Sequence, residues 1–97
     1  MRRARVDNNH AEIVKALRQV GATVESLARI GDDVPDLLVG YRGKNYVIEV
    51  KRGKRKLSPG QKRWHEEWCG TSHIAYSITE ALTIIGASNP ATLLICT

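Results

Sequence analysis

Apolar residues in this chain fall into short runs whose period changes from one segment to the next. Ile13, Val14, Leu17 and Val20 recur at helical spacing, with Asp7 or Asn8 placed to cap the run and Gly21 to close it. Residues 22–30 (ATVESLARI) are mixed, and Val24, Leu27 and Ile30 anchor an expected strand. Gly31-Asp32-Asp33-Val34-Pro35 reads as a turn, because Pro35 biases Val34 away from the helical region. Residues 36–41 read as a strand, residues 46–51 as a second one rich in β-branched and aromatic residues, and Arg42-Gly43-Lys44-Asn45 turns the chain between them, so a β-hairpin is expected. After a basic loop, Ser58-Pro59-Gly60-Gln61 signals a helix start three times over. Ser58 is an N-cap, Pro59 occupies the first turn, and Gln61 completes a capping box. That helix is expected to run to about Cys69, with Gly70 behind it. His73 to Ile78 reads as a strand, and Thr79 as the cap of a short helix through Ile85 that Gly86 ends. Residues 90–97 (PATLLICT) are apolar and uncharged, and are expected to form a final packed or partner-pairing segment. The order α-β-β-β-α-β-α describes an α/β domain with a mixed sheet flanked by helices.

Ninety-seven residues, 42% hydrophobic and 26% charged, suit one small folded domain over 1–97 with residues 1–6 as a basic tail. No apolar run reaches the roughly 18–20 residues of a membrane span. Met1-Arg2-Arg3-Ala4-Arg5 leads into polar Asp7-Asn8-Asn9-His10 with no apolar signal region, so a cytoplasmic setting is expected. Cys69 and Cys96 are far apart, belong to no CxxC pair, and read as reduced thiols, not zinc ligands. Charge adds direction. All fifteen Lys and Arg lie at or before Arg63, with seven of the ten acids, whereas the remainder holds Glu66, Glu67 and Glu80 and no cation. A one-sided basic surface is what a phosphate backbone selects.

Three charges then stand out from an otherwise apolar hairpin: Asp36, Glu49 and Lys51. Strand alternation puts Glu49 and Lys51 on one face and Ile48 and Val50 on the other. A two-residue turn at Arg42-Gly43 sets Asp36 opposite Glu49; a four-residue turn sets it opposite Lys51. Either puts all three on one face. Two converging carboxylates repel unless a cation lies between them. Lys51 is one solution, making an in-sheet ion network. A hard divalent ion is the other, held by one or two carboxylates and the Val50 carbonyl, with Lys51 standing where water is activated or phosphorane charge stabilised.

Pro35-Asp36, twelve intervening residues, then Glu49-Val50-Lys51 resembles the PD-(D/E)xK nuclease superfamily. The stretch VPDLLVGYRGKNYVIEVKRGKRKLSPGQKRWHEEW looks most like the small stand-alone virus-type replication-repair nuclease (VRR-NUC) domains, including phage-type forms. That likeness spans about residues 8–86 and implies a restriction-endonuclease-like core. It further implies metal held by Asp36 and Glu49 with Glu12 as an additional acid, a catalytic Lys51, and Gln61 near the active site. The implied activity is Mg²⁺- or Mn²⁺-dependent phosphodiester hydrolysis by homodimers on branched DNA such as Holliday junctions.

Beside the site, Lys51 to Lys56 holds five cations in six residues. Arg52, Lys54, Arg55, Lys56, Lys62 and Arg63 are read as phosphate contacts. Asp32 and Asp33 read as turn residues, and His10, His65 and His73 as structural or exposed. Trp64 and Trp68, four apart on one helix face, read as core or dimer anchors. Rival classes are a non-catalytic nucleic-acid-binding module, in which the three charges form an ion network, and a dimerisation subunit. The first predicts salt-sensitive binding without a metal requirement or product; the second, loss of self-association on Trp68→Ala.

Overall fold

The computed structural model describes residues 8–88. Helix α1 (Asn8–Gln19) is followed by β1 (Thr23–Ser26), β2 (Leu37–Tyr41), β3 (Lys44–Val50), α2 (Pro59–Glu67), β4 (His73–Ala75) and α3 (Ile78–Ile85). The expected α/β order is therefore present, as a four-stranded sheet in the order β1-β2-β3-β4. β1, β2 and β3 form an antiparallel meander, and β4 joins β3 in parallel after the α2 crossover. The basic tail, Arg2, Arg3 and Arg5 within it, Asp7, Cys96 and the apolar 90–97 segment lie outside the described residues.

One sheet face is the core. Leu37 and Val39 of β2, Ile48 of β3, Val24 of β1 and Ala75 of β4 pack with Ile13 and Leu17 of α1 and with Ala81, Leu82 and Ile85 of α3. The two helices end alike. Ala22 N donates to Leu17 O and Gly21 N to Arg18 O; Ala87 N donates to Leu82 O and Gly86 N to Thr83 O. Each pair is a Schellman motif, closed by a glycine at positive φ (99° and 79°). α2 buries none of its own residues and stands on the opposite sheet face.

Several boundaries differ from the sequence expectation. β1 stops at Ser26: Leu27 N still donates across to Asp36 O, but Ala28 N turns back to Ser26 Oγ, and Leu27 to Pro35 become loop. β3 begins at Lys44, two residues early, since the hairpin turn is only Arg42-Gly43. β4 is cut to three residues, and Ser77, not Thr79, caps α3: its side chain accepts from Glu80 N and its carbonyl from Ala81 N, which puts Thr79 inside the first turn. α2 ends at Glu67 with Trp68 as its C-cap. Its start is as read. Ser58 Oγ accepts from Gln61 N, and Gln61 Oε1 accepts from Ser58 N. Ser58→Ala removes one half of that box and should lower stability by about 1 kcal/mol, read from the urea midpoint.

Candidate active site

The hairpin turn places the acids. Arg42 and Gly43 both have positive φ (52° and 82°), the type I′ geometry whose twist matches the flanking strands. Leu37 then pairs with Ile48, so Asp36, one step before β2, falls opposite Glu49. Because Leu37 and Ile48 point into the core, both carboxylates emerge on the other face. Glu49 is nonetheless 3% exposed, the one buried charged residue among those described.

Short bonds fix the end of β3 from every side. Asp36 Oδ2 accepts from Val50 N at 2.8 Å. Lys51 N donates to Ala75 O of β4 at 3.0 Å, and Lys51 O accepts from Asn9 Nδ2 of α1 at 2.8 Å. The Lys51 ammonium lies 3.8 Å from Glu49 Oε2, and Gln61 Nε2 donates to the same oxygen at 3.2 Å. Gln61 therefore serves the capping box and the carboxylate at once: its Oε1 faces Ser58 and its amide nitrogen faces Glu49. Glu49 Oε1, by contrast, is buried without a partner.

Burial pushes the Glu49 carboxyl up to about 7. The neighbouring Asp36 charge adds to the rise, Lys51 opposes it, and the charge of Asp33 contributes further. Asp33 is held close to this end of the fold, packed so tightly on Gly60 of α2 that a Cβ there would collide with its carboxylate. A buried carboxylate oxygen with no donor, next to a second carboxylate, is a poor arrangement for the bare protein and a suitable one for a hard cation. Asp36 and Glu49, paired across the hairpin, are residues that could hold such an ion, with the Val50 carbonyl next to them in the chain.

Glu12 is not brought to them. It is exposed on α1 and does not line the cleft beside Asp36, and among the described residues no group of three or more His, Cys, Asp or Glu comes together to hold a metal. That cleft, of about 180 Å³, is walled by Asn9 and His10 of α1, Asp36, Val50, Lys51, Arg52 and Arg55. Sequence reading overlooked Asn9 and set His10 aside as structural or exposed. Asn9 did carry a signal. It sits four residues before Ile13, on the inward stripe of the helix, where a polar side chain needs a buried partner.

The basic loop is tethered rather than loose, since Tyr76 Oη donates to Arg55 O and Arg55 N to Arg52 O. Arg52, Lys54, Arg55, Lys56, Lys62 and Arg63 are all exposed, and Arg52 and Arg55 reach the cleft. His65 is occupied elsewhere, sharing a hydrogen bond between Nδ1 and Ser72 Oγ at 2.8 Å. Its burial and the nearby His73 lower its basicity. Cys69 is exposed and free. No helix among the described residues is long and apolar enough to cross a membrane.

Scans of the sequence against family models and against curated proteins give no match. A solved structure described as a VRR_NUC domain is similar, with a TM-score of 0.68 and 26% identity, covering 82% of this chain and 92% of that one. Fold and motif thus agree: the chain has the architecture of a VRR-NUC domain, a PD-(D/E)xK nuclease family, and that similarity suggests a nuclease. Metal-dependent catalysis is the general property of that family.

Proposed function

We propose that this protein is a Mg²⁺- or Mn²⁺-dependent DNA endonuclease that cuts branched DNA such as four-way junctions, working as a homodimer. The observation that carries the reading is the buried, partnerless Glu49 Oε1 beside Asp36, with the Lys51 ammonium 3.8 Å from the other Glu49 oxygen. A divalent ion bound by Asp36, Glu49 and the Val50 carbonyl would lower the pKa of a water and polarise a phosphate oxygen. Everything else is the work of the chain. Lys51 places an ammonium against the reacting phosphate, where it orients the nucleophile or offsets the charge that develops on phosphorus. Gln61 holds the Glu49 carboxylate in one rotamer. Asp36 grips Val50 N, and the bond from Lys51 N to Ala75 O holds the peptide that carries the Val50 carbonyl. Arg52 and Arg55 line the cleft and draw the DNA backbone into it.

A domain this small presents its site to one strand, so paired cuts across a junction need two copies. The test uses a labelled four-way junction and a matched linear duplex in Mg²⁺, with Asp36→Asn and Lys51→Ala beside the parent. The parent should cleave the junction preferentially, and each variant should lose about a hundredfold or more in rate while still binding DNA. Variants as active as the parent would end the proposal. Sedimentation at micromolar concentration should give a dimer, and a monomer there would remove the paired-cut model.

A further inference from the structure

The indole pair of α2 is not absorbed by the core or by the cleft. Trp64 and Trp68 stack with ring centroids 4.8 Å apart and planes 15° from parallel. Trp68 is 47% exposed, so the aromatic stack ends toward solvent. The ring is also braced: a Cβ on Gly70 would meet Trp68 Nε1 at 2.9 Å, so only glycine lets the chain close down on that edge. Apart from Trp64 the helix, PGQKRWHEE, is largely polar, and Lys62, Arg63, Glu66 and Glu67 around the pair are exposed. An aromatic surface of two rings ringed by charge is far below the roughly 800 Å² per partner of a stable protein interface. It is the right size for one more flat ring.

We infer that the Trp64–Trp68 stack is a platform for an unpaired nucleobase of the DNA substrate. The inference rests on the nuclease reading for its placement. Gln61, Trp64 and Trp68 follow one another at i, i+3 and i+7 along one helix face, and Gln61 touches Glu49. Seven residues of helix span about 10 Å, or about three stacked nucleotides from the scissile phosphate. A base in a continuous duplex has both faces covered by its neighbours, so the indole accepts only a base freed at a fork, flap or branch point. Lys62 and Arg63 on the same helix supply cations for the backbone of that nucleotide. The platform makes single-stranded character near the cut a determinant of substrate choice.

The experiment measures binding in an Asp36→Asn background, where DNA is not consumed. Two probes are used: a blunt duplex, and a forked duplex carrying 2-aminopurine at successive unpaired positions from the branch. One of the first few unpaired positions should show quenched 2-aminopurine emission on binding, accompanied by quenching of tryptophan. Trp68→Ala should lower the ratio of forked to blunt affinity about tenfold, and Trp68→Phe should restore most of it. An unchanged ratio in Trp68→Ala overturns the inference. So does loss of self-association in that variant with the ratio preserved, which would make a second copy the occupant. If the parent cleaves in Mg²⁺ while Trp68→Ala keeps its ratio, the platform fails and the nuclease reading stands. If the fork is bound through Trp68 but the parent never cleaves, the nuclease reading fails and the base platform stands.

Discussion

Glu49→Gln should yield a protein that is more stable without metal and inactive with it. In the parent at pH 8 the ionised Glu49 is buried, shares its surroundings with Asp36, and leaves Oε1 without a donor. Glutamine has the same shape and removes the charge. Its oxygen still accepts from Gln61, and its amide donates to Asp36 in place of the repulsion between two carboxylates. We expect the metal-free thermal midpoint to rise by about 5 °C, the shift that ~1 kcal/mol produces in a domain of this size. The same change deletes a cation ligand, so junction cleavage should fall by about a thousandfold or more, and added Mg²⁺ should no longer raise the midpoint. A variant that is less stable than the parent and still stabilised by Mg²⁺ would mean that Glu49 is held in place by its protein neighbours alone.

The opposite signs of those two effects explain why part of the site was legible in the sequence. Charges inside a strand cost stability, so Asp36, Glu49 and Lys51 stood out against Leu37, Ile48 and Val50 without any knowledge of the fold. Period-two alternation then left only the turn length open, and the I′ turn at Arg42-Gly43 selects the pairing of Asp36 with Glu49. Gln61 was legible as a cap because the Ser-Pro-Gly-Gln signal is local. That its amide also reaches Glu49 depends on how α2 lies over the sheet, which no local rule specifies. Contacts between distant segments were the least legible. Asn9 and Lys51 are 42 residues apart, and the reading passed over Asn9 in favour of the acidic Glu12 as the contribution of α1. Charge drew attention to Glu12, which is exposed, whereas helix phase puts Asn9 on the stripe that faces the sheet. For the second helix, the i, i+4 spacing of Trp64 and Trp68 is compatible with burial or with a surface stack. Only the absence of buried residues in α2 separates them. Ser77 and Thr79 are both good caps, and the choice between them is made by where β4 releases the chain.

Stability and metal affinity should also respond to pH in a linked way. An unperturbed glutamate titrates near 4.5, whereas in the fold Glu49 is pushed up to about 7, chiefly by burial and then by Asp36. Between those values the folded protein holds a proton that the unfolded chain has released. The contribution of Glu49 to metal-free stability is therefore fully present below about pH 4.5 and is lost as pH rises through about 7. The loss has the same origin as the gain expected of Glu49→Gln, and it matters because so small a domain has little stability to spare. Mg²⁺ reverses the preference, because a carboxylate must ionise to bind it. The Mg²⁺-induced rise in thermal midpoint should be small at pH 5.5 and large at pH 8, and the parent's cleavage at limiting Mg²⁺ should climb through about pH 7. Raising Mg²⁺ should move that climb to lower pH, since the ion competes with the proton for the same oxygens. Thermal unfolding at a series of pH values, with EDTA and with Mg²⁺, gives both curves. Two flat, parallel curves from pH 5 to 8 would show that Glu49 stays ionised throughout, and its buried, partnerless oxygen would then need a different occupant.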